Sequence, residues 1–342
     1  MTEVAELATI VARLAEVEDV TLIPLGRGGN SSVYRVMLPS GVELALKHYP
    51  PPEASRPDRL QAEVGGLRFL AEQGVECVPR PLVCSAEERI ALFSWIEGAP
   101  PAALGRQEFD AACDFLARLH TLRESVDAQW LPLAAEACFS GAELERQLAM
   151  RMEQLLQVDG APGLTAFLEQ TYQPAWKQMG ARARLRYQQQ GLSFAEELTS
   201  EYLTLSPSDF GFHNAIQGSD GALSFVDFEY FGWDDPVKLV ADFLWHPAMS
   251  ISEPTKKAFV GRTKSIYRHD PSFEARLAAL YPLFGLRWCM ILLNEFLHQG
   301  QVRRAHANAT GEDEWTEIKQ RQLKRAHRLL DEILRTYERF PY

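Results

Sequence analysis

The sequence is short of the features that would classify it at a glance. Its 342 residues include five cysteines, Cys77, Cys84, Cys113, Cys138 and Cys289, an odd number with no Cys-x-x-Cys pair. That pattern argues against a disulfide framework and predicts buried, reduced thiols in a cytoplasmic protein. A basic excess is absent: 35 Lys and Arg stand against 46 Asp and Glu, a net charge of −11. Broad nucleic-acid binding needs a basic face, so nucleic acid is not an expected partner, while a cationic small molecule is compatible. No apolar run approaches the roughly 20 residues of a membrane span, so no membrane partner is expected. The stretch Met1–Val20 carries acids throughout. It lacks the basic start and unbroken apolar core of a signal peptide. Long repeats and low-complexity tracts are missing too.

What is present is ordinary in bulk, 46% hydrophobic and 24% charged, as in soluble globular proteins. The length suits two ordinary domains or one two-lobed one. Within residues 1–18, Leu7, Ile10, Val11 and Leu14 have amphipathic-helix spacing. Residues 20–49 read as strands with a Gly-rich break at 26–29, and Pro39-Ser40-Gly41 is a turn signal between two β-rich runs. A helix is predicted over 56–73, with Leu60, Val64, Leu67 and Leu70 on one face. Residues 79–98 read as two short strands around a polar turn. Residues 1–98 therefore form one strand-rich unit with a central helix, bounded by the Pro-rich stretch 98–101.

Residues 99–342 are different in character. Helical patterns cover 107–122, most of 140–200, and 237 onward, interrupted at 203–233 by short apolar pieces broken by Gly and Asp. Residues 272–300 are apolar nearly all round, which predicts a buried helix pair broken near Pro282. Residues 314–340 are amphipathic and charged, which predicts a surface helix.

Several residue groups carry chemistry when taken in order. Gly26, Gly28 and Gly29, followed by Asn30 and Ser31, lie between two strands. Glycine there permits close approach of backbone amides to phosphate oxygens, although alone such a loop is a plain hairpin turn. Lys47 lies in a strand and Glu63 near the middle of the next helix. Alone, Lys47 reads as an edge-strand solubility lysine. A Gly-rich hairpin, a strand lysine and a helix glutamate within about 40 residues are much more specific. Asp209 is followed five residues on by Asn214, and Asp227 ends a short apolar strand. That order matches an Asp that orients an acceptor hydroxyl, then an Asn and an Asp that hold magnesium. The letters Asp209-Phe210-Gly211 imitate a kinase metal motif, but position assigns Asp209 to the hydroxyl and Asp227 to the metal.

On these residues, and on Phe93–Gly98, Leu116–His120, Ser208–Asn214 and Val226–Pro236, the chain resembles the aminoglycoside phosphotransferase and choline kinase family. The resemblance runs from about residue 20 to 300. It implies an α+β, two-lobed protein-kinase-like fold. The N-lobe would be a small antiparallel sheet with one helix, and the larger C-lobe mainly helical. It also implies ATP, or alternatively GTP, with Mg²⁺ as cofactors. Lys47 would meet the α/β phosphates with Glu63 holding it, and Ser94, Trp95 and Ile96 would meet the adenine edge. Asp209 would be the catalytic aspartate in a loop over 206–214, and Asn214 and Asp227, the latter in segment 223–236, the magnesium ligands. The sequence departs from the family pattern at Pro207-Ser208, where His-Gly is usual, at Phe212-His213 in place of Pro-Gly, and at Leu239, where an Asp is frequent. Loss of the His bears on loop geometry more than on chemistry. Pro207 is expected to restrict the backbone in its place, and Asp242 to cap or brace a helix.

The family places its acceptor against the helical lobe. Candidate wall residues are His213, Glu229, Trp233, Asp234 and Trp288, with Trp245, Arg287, Glu295 and His298 beside them. Acids with aromatics suit a cation or amino sugar. Trp245 and Trp288 also read as core, and His213 as structural. The arginine-bearing stretch 123–200 reads as a lid, a dimer contact or a solvated helix pair, so monomer and homodimer both stay open. The function expected is a small-molecule kinase acting on a hydroxyl of an amino sugar, sugar or amino alcohol. The alternative is an inactive nucleotide-binding pseudokinase serving as an interaction module. A protein kinase is disfavoured because few residues separate Asp227 from the helix near 237, which leaves no room for an activation loop.

Overall fold

The computed structural model describes residues 3–27, 31–52, 57–297 and 312–342. The chain enters through a helix, α1 (Glu3–Leu14), and then builds an antiparallel sheet of β1 (Thr21–Arg27), β2 (Ser32–Met37), β3 (Glu43–His48), β4 (Pro81–Ser85) and β5 (Ile90–Ser94). The strand order is β1-β2-β3-β5-β4. The β2–β3 hairpin turns at Pro39–Gly41, where Gly41 takes φ +83°, a conformation that costs glycine least. Side chains alternate across each strand. Leu44 and Leu46 therefore join Val36, Ile90 and Leu92 under α1. Ala45, Ala91 and Phe93 face the other way, into the main core. Lys47 shares their parity, so the sheet aims it away from α1 at the interior of the molecule.

Helix α2 (Arg59–Glu72) covers that inner face. Asp58 caps it, accepting from the Leu60 amide at 3.0 Å. Arg89 in turn grips Asp58 through two nitrogens, at 2.7 and 2.9 Å. Leu60, Val64, Leu67 and Leu70 of α2 belong to one apolar core with the helical remainder.

That remainder comprises α3 (Arg106–Leu122), α4 (Gly141–Leu156), α5 (Pro162–Ala166), α6 (Gln173–Gln189), α7 (Pro236–Trp245), α8 (Glu253–Ile266), α9 (Phe273–Leu292) and α10 (Glu312–Thr336). A π turn, Phe167–Tyr172, joins α5 to α6. Four short strands carry the loops of interest. β6 (Thr204–Ser206) pairs with β9 (Gly232–Asp234), and β7 (Ala215–Gln217) with β8 (Leu223–Phe225).

Helix α9 is the hub, packed by α4, α6, α7 and α10. The segment Phe273–Phe296 is long and apolar enough to cross a membrane, contrary to the reading of the sequence, but most of it is buried against its neighbours. The expected break at Pro282 is also absent: α9 runs through it. Proline lacks the amide that would bond the carbonyl four residues back. Here the Arg186 guanidinium donates to that carbonyl, on Ala278. The stretch read as a solvated helix pair thus supports the hub. Helix α10 is amphipathic as expected, but its inner face is core: Ala326, Leu330 and Ile333 are fully buried. Of the cysteines, Cys113, Cys138 and Cys289 are buried, whereas Cys77 is half-buried and Cys84 exposed, which corrects the expectation for those two.

The sheet and the helices meet at residues 94–99. The backbone of Ala99 pairs both ways with Gln217 at the end of β7, at 3.2 and 2.8 Å. Gly98 has φ +145°, and a Cβ there would stand 2.3 Å from the Gln217 carbonyl oxygen. A side chain at 98 would push the two regions apart.

Candidate active site

Lys47 collects carboxylates from three directions. Its ammonium lies 2.6 Å from Glu63 on α2, 2.5 Å from Asp227 and 3.3 Å from Glu229. Tyr49 donates to the same Glu63 oxygen at 2.6 Å. The other Glu63 oxygen accepts from the Phe228 amide at 3.1 Å, which ties α2 to the segment after β8. Burial works against the charge on Lys47, but Asp227, Glu63 and Glu229 outweigh it and hold the ammonium charged. Glu229 is buried yet held ionised by Lys47, Arg59 and Ser31.

Asp227 differs. Its backbone has φ +69°, a sparsely populated conformation for a residue with a side chain, of the kind that clusters at functional sites. Desolvation, with Glu229 and Glu63 close by, pushes its carboxyl up to about 7 against the pull of Lys47. Its 38% exposed edge opens into the pocket.

The segment that carries Asp209 and Asn214 runs from β6 to β7. Phe210 and Phe212 anchor it. Phe210 packs 5.1 Å from Phe225 and 5.8 Å from Phe243, and Phe212 4.9 Å from Phe109. Ser208 stands where the family has Gly, and takes φ +67°. Ser206 Oγ accepts its amide at 2.9 Å, and buried Lys238 donates to its hydroxyl at 3.0 Å. Lys238 is itself paired with Asp234 at 2.5 Å. The strained position is thus held by side-chain bonds rather than by glycine.

Asp209 follows. His213 Nε2 lies 3.1 Å and His246 Nε2 3.2 Å from its Oδ1. Burial alone would raise the Asp209 carboxyl, but the hydrogen bonds from His213 and His246 win and hold it below the usual carboxylate range. Asn214 donates its amide nitrogen to the Asp209 carbonyl at 3.0 Å. That fixes the amide so that its oxygen is the atom left to bind something else.

Lys47, Glu63, Asn214, Asp227 and Glu229 line one pocket of about 280 Å³ with Ser31, Ser94, Trp95 and Ile96. Gly26 lies within β1, next to Leu25, which lines the pocket. Gly28, Gly29 and Asn30 lie outside the described residues, as does His298.

Several wall assignments are corrected. Glu229 sits under Lys47 in this pocket, not against the helical lobe. Asp234 is fully buried and spent on Lys238 and on the Cys138 amide, 3.2 Å away. Trp233 turns its Nε1 to the Ala128 carbonyl at 3.0 Å. Trp245 is core, bonded to the Tyr281 carbonyl at 2.8 Å. Arg287 is buried against Asp242, which braces α7 on α9 rather than capping a helix. Glu295 is half-buried in the turn after α9. Among the described residues of the wall set, His213 and Trp288 gather near Asp209. Trp288 gets there through His246, which it meets edge-on at 4.5 Å.

Sequence reasoning missed His246. It is the C-cap residue just after α7, and the helix end followed by Pro247 was the available signal. Tyr49 and Lys238 were missed as well; Tyr49 follows Lys47-His48 just past β3, and Lys238 is the one charged letter in the apolar run 236–241.

A bilobal kinase fold whose pocket gathers a lysine, three carboxylates and an amide oxygen, beside a loop aspartate, defines a small-molecule kinase. The sequence profile of the phosphotransferase enzyme family matches residues 21–280, and the chain belongs to that family. Among solved structures, the gentamicin complex of APH(2")-IIa is similar over 96% of each chain, at 16% identity and TM-score 0.59. The choline kinase LicA from Streptococcus pneumoniae is similar over 96% of this chain and 99% of its own, at 15% and 0.57. Spectinomycin phosphotransferase APH(9)-Ia, in complex with ADP and spectinomycin, is similar over 95% and 98%, at 11% and 0.58. At such identities the likeness carries the fold. No curated protein sequence matches the chain.

Proposed function

We propose that this kinase takes the γ-phosphoryl group of ATP, with Mg²⁺, and delivers it to a hydroxyl of a small molecule. The observation that carries the reading is the single pocket holding Lys47, Glu63, Asn214 and Asp227 against Ser94–Ile96. Solved relatives with AMP or ADP support a nucleotide there. The donor set fits magnesium. Glu63, Asp227 and Glu229 bring carboxylate oxygens within 4.8 Å of one another, and with only Lys47 and Arg59 paired to these three carboxylates among the described residues, the group is short of positive charge. Hard oxygen ligands in that state suit a small divalent cation.

In this reading Asp227 and the Asn214 oxygen would hold the ion, which would supply charge neutralisation at the phosphates. Lys47, kept charged and positioned by Glu63, meets the phosphate oxygens. Asp209 accepts the acceptor hydroxyl in a hydrogen bond and orients it toward the phosphoryl group. Most of the gain is positioning and electrostatic stabilisation. The acceptor class we propose is an amino alcohol, amino sugar or sugar, as with the choline, ethanolamine and aminoglycoside kinases among the solved relatives. Helix α7 begins at Pro236, soon after Asp227, which leaves no peptide-holding loop.

Thermal unfolding with Mg-ATP and with Mg-GTP, in the wild type and in Asp227→Ala, tests this. Ligand at about a hundred times its Kd should stabilise by roughly 2.7 kcal/mol. A magnesium-dependent shift that Asp227→Ala loses supports the site, and choline, ethanolamine, hexoses and aminoglycosides are then assayed for phosphorylation. No shift with either nucleotide overturns the reading. A shift without transfer to any acceptor favours the inactive, interaction-module alternative.

A further inference from the structure

Asp209, His213 and His246 place three possible metal-ligand atoms within 4.8 Å of one another, and two histidines with one carboxylate are a common metal set. The geometry argues otherwise. The two imidazoles are stacked, with centroids 3.8 Å apart and planes 3° from parallel. A metal bond to imidazole runs at about 2.0–2.1 Å, along a lone pair in the ring plane. One ion cannot lie in two parallel planes. Hydrogen bonds are longer and bend, so one carboxylate oxygen between the rings can accept from both.

The hydrogen-bond network also fixes a proton. The Ala248 amide donates to His246 Nδ1 at 3.2 Å. A nitrogen that accepts carries no hydrogen, so the proton of this imidazole is on Nε2. That nitrogen is the one 3.2 Å from Asp209 Oδ1. The ring is also held from behind. Trp288 meets it edge-on at 4.5 Å. Trp288 Nε1 is bonded to Asp242 at 3.0 Å, and Asp242 to Arg287 at 2.5 Å.

We propose that His246 is a positioning residue for phosphoryl transfer. Its tautomer, set by Ala248, commits Nε2–H to Asp209 Oδ1 and leaves Oδ2 for the acceptor hydroxyl. The inference rests on the reading of Asp209 as the residue that meets the acceptor. His213 supplies a second contact to the same oxygen. Both contacts go to Oδ1, so among the described residues the carboxylate keeps one rotamer with Oδ2 left open. This also accounts for Phe212-His213 where the family has Pro-Gly: the loop carries its own partner for the aspartate.

The full chain, labelled with ¹⁵N at histidine, gives the first test. Long-range ¹H–¹⁵N spectra report imidazole tautomers directly, and the pattern missing from His246→Gln assigns His246. The Nε2–H tautomer is expected in the wild type. An Nδ1–H form, or rapid averaging of the two, overturns the proposal. Hydrolysis of Mg-ATP, with water as acceptor, gives the second. His246→Phe keeps a ring between His213 and Trp288 but has no donor, whereas His246→Gln offers an amide N–H near the place of Nε2. Phe should lower kcat on the order of tenfold to a hundredfold, with KM for Mg-ATP unchanged, and Gln should restore most of it. The reverse order, Phe active and Gln impaired, would mean that the ring only packs. Zn²⁺ that stops the wild type and spares His246→Gln would make the cluster a metal site after all. Asp209→Asn is run alongside. Normal turnover there removes the role of Asp209 itself, whatever the tautomer of His246. An inactive Asp209→Asn with a fully active His246→Phe removes the positioning role alone.

Discussion

Asp209 and Asp227 lie on neighbouring loops and meet opposite surroundings. Asp227 shares one lysine with Glu63 and Glu229, and its carboxyl is pushed up to about 7. Asp209 faces two imidazoles and is held below the usual carboxylate range. A carboxylate crowded by its own kind is a place where a cation is wanted. A carboxylate met by donors stays ionised without one and serves as a hydrogen-bond acceptor. The difference supports the roles proposed for the two aspartates by environment, against the letters of the sequence, where Asp-Phe-Gly stands at 209 and not at 227.

The sharpest way to break this contrast is to neutralise each in turn. Asp209→Asn should lower turnover by roughly 10²–10⁴-fold, the range for a positioned proton acceptor, and leave the dissociation constant of Mg-ATP nearly unchanged. Asp227→Asn should do the converse, abolishing the magnesium dependence of nucleotide binding. Titration of both variants with ATP, with and without Mg²⁺, reads the outcome. Exchanged phenotypes would reverse the assignment.

A second test concerns stability. Lys47→Met leaves Glu63 and Glu229, whose side chains are 4% and 2% exposed, without their shared cation. Removing one partner of a buried ionic group costs about 3–5 kcal/mol, so unfolding at neutral pH should come markedly earlier in denaturant. Mg²⁺ should recover part of the loss, since the carboxylates can turn to it. Asp209 is 32% exposed, and Asp209→Asn should cost far less. Equal losses would mean that the two sites do not differ in burial and charge as described.

The sequence shows the one region better than the other, for physical reasons. Lys47 and Glu63 are legible because a strand alternates and a helix repeats, so each residue's face follows from its neighbours. Asp209, Asn214 and Asp227 are legible because a loop of fixed length fixes their spacing. Glu229 was misplaced because its direction depends on the turn after Asp227, where neither period applies. His246 was missed because the helix end before Pro247 marks its place but not its partner, and it reaches Asp209 only through the packing of α7 and α9. Pro282 predicted a break by a correct local rule. The rule failed because Arg186, nearly a hundred residues earlier, meets the carbonyl that proline leaves unbonded. Local rules read what neighbours decide and miss what a distant side chain supplies.

A third histidine sharpens the comparison at the smallest scale. Among the described residues, His120 on α3 is an imidazole paired with no carboxylate, and its Nε2 has no partner. Its Nδ1 is 3.3 Å from Thr204 Oγ1, and its ring meets Tyr267 edge-on at 4.9 Å. Burial, with Arg123 and His269 adding to it, lowers its pKa to about 4. The folded state therefore binds this proton less readily than the unfolded chain, whose imidazole titrates near 6.5. Folding stability should fall as pH drops from about 6.5 to about 4, and this contribution should level off below. Replacing His120 by Asn keeps a polar atom near Thr204 and removes the titration. Denaturant unfolding of His120→Asn across pH 4 to 7 should show a flatter acid limb than the wild type. An identical slope in both would mean that burial does not keep the His120 imidazole from charging.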